Sequence, residues 1–405
     1  MKVHERMLKY ISIPTPSDSS QKKCPSTKSQ FDLAYLLINE MKNIGILDVV
    51  ITKHCFIYAK IPATLGYESK SKIGFIAHLD TVSDFTNRKI TPLIHHNYNG
   101  KDIILGNSGL ILKTSDFSDL SSCKGQTLIT SDGNTILGAD NKAGIAEILA
   151  MAEVIIKEKI PHGTICIAFT PDEEMYNEIN YFDIDKFGAD YAFTVDGNDI
   201  GEIQYENFYA SQATFEISGF SAHPDNAKDK MINASLIAME INSLIPKGKT
   251  PRDTEGYEGY FHLSEIIGTV DYAKLIYSIR DHDKRLFDQK INLLLDIEKY
   301  LNQKWGNGTV SISIKRLFSN MAEVINLYPH LIENTIIACN NTHIKPRIIA
   351  ARGITSGCRL SFQGLPCPNI GTGGNGYHTP YEHITVEKME KNVQMLVELI
   401  KIYAK

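Results

Sequence analysis

A single tryptophan in 405 residues, and no run of apolar residues long enough to cross a bilayer, mark what this sequence is without. A membrane-spanning helix needs about 20 mostly apolar residues in succession. The N-terminus, Met1-Lys2-Val3-His4-Glu5-Arg6-Met7, carries charge where a secretion signal needs an apolar core. Both absences point to a cytoplasmic protein with no membrane partner. An excess of positive charge is missing too: 42 Lys and Arg stand against 47 Asp and Glu, a net charge of -5, so no basic surface invites nucleic acid. The 7 cysteines, at 24, 55, 123, 166, 339, 358 and 367, are odd in number and form no Cys-x-x-Cys pair, so neither a disulfide framework nor a thiolate zinc site is indicated. Several lie inside apolar runs, as Cys166 does, where a thiol acts as a small core residue. No internal repeat and no low-complexity tract is present.

What is there is ordinary globular composition, 43% hydrophobic and 22% charged, in a chain too long for one core. The spacing predicts a helix over 31–44, with Ser29 as N-cap and Gly45 as stop, then short strands over 46–51, 56–61 and 73–77. Residues 86–126 are polar and read as irregular, with short strands such as 103–105. A strongly apolar helix follows over 145–157, then strands over 164–169 and 191–195. The middle changes character. Strand 213–217, helix 227–244, strands 260–268 and 273–280, helix 284–301 and strand 309–315 make the β-α-β-β-α-β order of a ferredoxin-like unit. Alternation of helix and strand resumes after 316, with a helix over 329–340, a strand over 347–350 and a closing helix over 386–403. The expected architecture is α/β: a catalytic domain from 1–208 and 318–405, interrupted by an inserted α+β domain at 209–317.

Acidic and imidazole side chains recur just after apolar strands or in glycine-rich loops: His78 with Asp80, Asp140, Glu173 with Glu174, Asp196, and His378. Strand ends in an open α/β sheet form the ligand crevice, so parallel strands can deliver these groups to one place. Mixed imidazole and carboxylate donors suit zinc, and a shared carboxylate can bridge two ions. Each member alone has an ordinary reading. His78 can pack at a strand end, Asp140 can cap the following helix, Asp196-Gly197 can form a turn, and His378 can be a solvated loop residue. Glu173-Glu174 alone suits an exposed loop or a helix's acidic first turn. In His78-Leu79-Asp80 the two polar side chains share one side of an extended segment, which lets Asp80 accept from the imidazole and orient it.

His78-Leu79-Asp80-Thr81, Gly138-Ala139-Asp140-Asn141-Lys142-Ala143-Gly144, Phe169-Thr170-Pro171-Asp172-Glu173-Glu174, Thr194-Val195-Asp196-Gly197 and Gly373-Gly374-Asn375-Gly376-Tyr377-His378 resemble the motif series of the tripeptide aminopeptidase branch of the M20 metallopeptidases. The similarity runs over nearly the whole chain. It implies two zinc ions, with manganese or cobalt also permitted by the ligand types. His78 and Asp196 would bind one ion, Glu174 and His378 the other, and Asp140 would bridge them. Glu173 would be the general base and Asp80 the support of His78. The resemblance further implies a short peptide substrate and a homodimer in which His223 of one copy reaches the other's active site. Arg280, and with it Arg352, would hold the substrate carboxylate. Without the resemblance, His223 reads as a solvent-facing loop residue and Arg280 as a partner of Asp281.

The sequence departs from that pattern in places. Ile354 and Ser356 stand where the family usually has glycine and aspartate. Met175-Tyr176-Asn177-Glu178 replaces a glycine-containing stretch, and Thr379-Pro380 replaces Gly-Lys. Substrate choice is what these changes touch, since the ligand types are intact. An amidohydrolase or carboxypeptidase of the same family, or a metal-retaining peptide-binding protein without turnover, are the alternatives. Other features carry no function: His95-His96 reads as solvated, Gly371-Thr372-Gly373-Gly374 lacks a Walker lysine, Ser356 and Ser361 lack a nucleophile elbow, and Trp305 reads as packing.

Overall fold

The computed structural model describes residues 1–84, 89–175 and 178–405. Residues 86–88 of the polar stretch, and Tyr176 and Asn177 of the segment after Glu174, lie outside the described residues. The chain divides into two compact units, one of Met1–Tyr205, Glu323–Ile349 and Thr355–Lys405, the other of Glu206–Ala322 and Ala350–Ile354. Among the described residues, no helix is long and apolar enough to cross a membrane.

The larger unit is built on a mixed sheet whose order is Asp48–Ile51, Ile57–Ile61, Ile165–Thr170, Ile73–His78, Tyr191–Gly197, Asn369–Gly371, Glu202–Asn207 and Arg347–Ala351. Strands Ile73–His78 and Ile165–Thr170 are buried at every position, as expected of parallel strands covered on both faces. The parallel register sets Ile73 opposite Ile165 on one side and opposite Tyr191 on the other, so His78 falls level with Thr170. All three strands therefore finish at one edge. Helix Ala139–Lys157 packs on this sheet, and helix Val386–Tyr403 packs on that helix in turn. The closing helix starts where Thr385 accepts the Lys388 N–H, and Met389, Val393, Leu396 and Ile400 form its buried stripe.

A helix over Val3–Ile11, unexpected from the charged N-terminus, buries Val3, Met7, Tyr10 and Ile11. Its Arg6 is only 2% exposed and sits 2.6 Å from both Glu40 and Glu153. A buried guanidinium is tolerated because both its sides meet carboxylates.

In the smaller unit the strands run in the order Tyr260–Gly268, Tyr272–Asp281, Tyr209–Ser218 and Val310–Phe318, all antiparallel, the arrangement of a ferredoxin-like sheet. Alternation along Tyr272–Asp281 buries Ala273, Leu275, Tyr277 and Ile279 against helices Ala234–Leu244 and Lys284–Trp305. The first of these helices begins later than its apolar spacing suggests. Pro224–Asn226 forms a separate 3-10 turn, and the Asn233 side chain accepts the Leu236 N–H to start the helix. Trp305 packs against this core and donates to Glu240. All seven cysteines are buried, and none is joined in a disulfide.

Candidate metal centre

Three neighbouring strands end in polar side chains: His78 on the central one, Thr170 followed by Glu173 and Glu174 on one neighbour, and Asp196 on the other. The His78 Nε2 lies 3.3 Å from an Asp196 oxygen and 2.9 Å from Asp140 Oδ1. Asp140 stands at the start of the long helix, before its regular turns begin. Its backbone is extended (φ -79°, ψ 104°) rather than helical, so its carboxylate turns toward the strand ends. The second oxygen, Oδ2, lies 3.0 Å from His378 Nε2, and the same imidazole nitrogen is 3.2 Å from Glu174. One carboxylate thus faces two histidines. His78, Glu173 and Asp196 form one group with donor atoms all within 4.8 Å of one another, and His78, Asp140 and Glu174 form another.

Such crowding of carboxylates needs positive charge. Burial raises Asp196 to about 6, and burial with the Asp196 charge raises Glu173 well above the usual range. Glu174 is raised by burial and by Asp140. Burial alone would lower His78, yet Asp196, Asp140 and Asp80 outweigh it and raise the imidazole. Hydrogen bonds to Asp140 and Glu174 lift His378 to about 11. Counter-charge comes from protons on the imidazoles and from the buried Lys142 ammonium, which interacts with Asp80, Glu382, Asp140 and Glu174 and donates to Thr15 at 2.6 Å. Divalent metal fits this donor set, since it would replace those protons with a larger charge and accept both nitrogen and oxygen ligands.

Support for the cluster comes from residues that sequence reasoning weighed differently or passed over. The His78 Nδ1 lies 3.1 Å from the Asp80 backbone carbonyl and 3.4 Å from its carboxylate. The fully buried Asp80 carboxylate instead accepts the backbone N–H groups of Glu173 at 3.0 Å and Glu174 at 3.2 Å. Asp80 therefore seats the glutamate pair more directly than it orients the histidine. Glu382 accepts from Leu137 and Gly138 at 2.7 Å and from Asp140 at 2.9 Å, clamping the loop that presents Asp140. Its only sequence signal is an acid directly before the short buried strand His383–Thr385. Asp172, with φ 56°, is held by Ser26 and Gln30. Ser356, a departure from the resembled pattern with no nucleophile elbow, is buried beside Glu173 and Glu178.

The remaining expected site residues belong to the smaller unit. His223 is 73% exposed and 3.6 Å from Asp225. Arg280 donates to the Arg352 carbonyl at 2.9 Å and lies over the Phe318 ring. It does not take Asp281 as partner, because that carboxylate accepts from Lys290 and from the Asp283 N–H. The Arg352 guanidinium donates to the carbonyls of Gly256 and Glu258 and to Thr254 Oγ1, and stacks near Phe208 and Tyr260. Its donors are engaged in holding the 254–258 loop. A cavity of about 620 Å³ elsewhere in the larger unit is lined by Asp199, Arg347 and Lys388, whose charges already pair at 2.8–3.0 Å. None of the metal-centre residues lines it.

Imidazoles and carboxylates gathered at the ends of parallel strands define the class, an α/β protein with a candidate divalent-metal centre. The family described as Peptidase family M20/M25/M40 matches residues 131–402, and the chain belongs to it. A protein named Peptidase T from Alkaliphilus oremlandii is 44% identical over 404 residues, covering 99% of each chain. A Peptidase T from Clostridium perfringens is 46% identical, covering 100% of this chain and 99% of its own. In fold the chain is similar to the aminopeptidase PepT from Bacillus cereus, with TM-score 0.78, 20% identity, and 100% and 98% of the two chains covered.

Proposed function

We propose that this chain is a metal-dependent aminopeptidase that releases the N-terminal residue from tripeptides and other short peptides. The observation that carries this reading is Asp140, whose two oxygens face His78 at 2.9 Å and His378 at 3.0 Å with Glu173 buried alongside. The full-length relatives named Peptidase T support the substrate class. In this reading His78 and Asp196 would hold one ion, Glu174 and His378 the second, and Asp140 would serve both. Two zinc ions are the first choice, and manganese or cobalt fit the same ligands.

Bound metal supplies a Lewis acid for the scissile carbonyl and lowers the pKa of water. Glu173 takes the proton as the water oxygen attacks the carbonyl carbon, then passes it to the departing amine nitrogen as the C–N bond breaks. Products are a free amino acid and a dipeptide. Asp80 keeps Glu173 and Glu174 seated through their backbone N–H groups. Arg280 and Arg352 are proposed for the substrate carboxylate. For Arg352 that role requires releasing its bonds to the 254–258 loop. A cytoplasmic homodimer, with His223 of a second copy steadying the oxyanion, belongs to the same proposal.

Zinc-loaded protein incubated with tripeptides, dipeptides and N-acyl amino acids tests it. Release of the N-terminal residue from tripeptides, abolished by Glu173→Ala, is the expected result. Cleavage of N-acyl amino acids alone would move the activity to an amidohydrolase, and peptide binding without product would indicate a binding protein. Sedimentation of the same sample reads the dimer.

A further inference from the structure

We propose that Ser356 and Glu178 act together as a positioning pair for Glu173, an inference that rests on the reading of Glu173 as the general base. The Ser356 Oγ lies 2.8 Å from Glu178 Oε1 and 3.1 Å from Glu173 Oε1. All three side chains are buried, Glu178 at 1% and Ser356 at 3% exposure. Ser356 also lines the crevice shared by His78, Asn141, Glu173 and Asp196. It opens helix Ser356–Phe362, whose first turn is capped by Thr355, so its hydroxyl is carried on a fixed backbone.

Two buried carboxylates joined through one hydroxyl make a poor structural staple, because desolvating acids costs more than apolar packing in the same volume. A serine hydroxyl has one hydrogen and two lone pairs. It donates that hydrogen to Glu173 Oε1 and accepts, through a lone pair, from the Glu178 carboxyl, which carries the proton in this contact. Glu178, the closer partner, fixes where the hydroxyl points, and the hydroxyl takes up Oε1 of Glu173, which sets the rotation of that carboxylate above the metal ligands. Glu178 reaches Ser356 from a different segment of the chain, 2.8 Å away.

The test is a double-mutant cycle on metal-loaded protein with a tripeptide substrate. Ser356→Ala and Glu178→Leu are each expected to lower kcat by about 10–100-fold while KM and metal stoichiometry hold, the size seen when a supporting partner is lost. The double variant is expected to be no slower than the slower single one, because the two act as one unit. Ser356→Thr keeps the hydroxyl and is expected to recover most of the rate. Singles that stay within about twofold of the parent, or costs that multiply in the double variant, overturn the proposal.

A parent protein that cleaves nothing in the panel would count against the aminopeptidase reading and leave a second readout for this one. The thermal-unfolding cycle of Glu173→Gln with Ser356→Ala needs no turnover. Non-additive melting shifts are expected, and additive shifts sink the contact as a functional pair.

Discussion

Asp140 and Glu382 stand 242 positions apart in the chain, and a Glu382 oxygen accepts the Asp140 backbone N–H at 2.9 Å. The other Glu382 oxygen takes the N–H groups of Leu137 and Gly138, so one buried carboxylate sets the loop that aims the shared carboxylate between His78 and His378. Glu382→Gln places an amide NH₂ against backbone donors. Metal affinity is expected to fall by about 10–100-fold, read by competition with a chromophoric chelator.

Metal entry should release protons. His378 is raised to about 11 by Asp140 and Glu174, so its imidazole carries a proton at neutral pH when no metal is bound, and the carboxylates around His78 shift that imidazole in the same direction. Ligation requires the neutral imidazole. Calorimetric titration of metal-free protein in buffers of different ionisation enthalpy is expected to show net proton release, and His378→Ala to reduce it. Buffer-independent heats would refute the assignment.

Gly144 sits on the first turns of the long helix, where an added Cβ would lie 2.1 Å from the Val195 carbonyl. Nothing can yield there except the helix or the strand that ends in Asp196. Gly144→Ala is expected to cost about 1–3 kcal/mol by overpacking and to weaken metal binding by separating Asp140 from Asp196. Urea unfolding of metal-free protein and a metal titration read the two effects separately.

Acid stability depends in part on the N-terminal helix. Burial would raise Glu153, but Lys157 and Arg6 outweigh it and hold the carboxyl at about 2, against an ordinary 4.5. A depressed carboxyl contributes stability above its unfolded pKa, and that contribution disappears as pH falls from about 4.5 toward 2. Melting temperature measured across that window should fall less steeply in Glu153→Gln than in the parent.

The residue types that gather at the candidate metal centre, and their order, were legible in the sequence, since each follows an apolar strand or a glycine-rich loop. The ferredoxin-like order was legible as well, because periods of two and 3.6 are local properties of the chain. Partners were harder to see. Asp80 suggested an orienting bond to His78 two residues away; its carboxylate lies 3.4 Å from that imidazole and also takes the backbone N–H groups of Glu173 and Glu174, which the spacing did not suggest. Arg280 suggested Asp281, which alternation sends to the opposite face of its strand.

By itself the sequence determined which side chains stand at strand ends and where the α/β alternation gives way to an α+β insert, because apolar periodicity and punctuation are written residue by residue. Only the tertiary structure decided that Asp140 faces two histidines, that Glu382 clamps its loop, and that Ser356 joins Glu178 to Glu173. Those are contacts across 62 to 242 residues, set by parallel register and by the packing of helices on the sheet. Burial then changes the chemistry of each group, and burial belongs to the folded chain rather than to any segment of it.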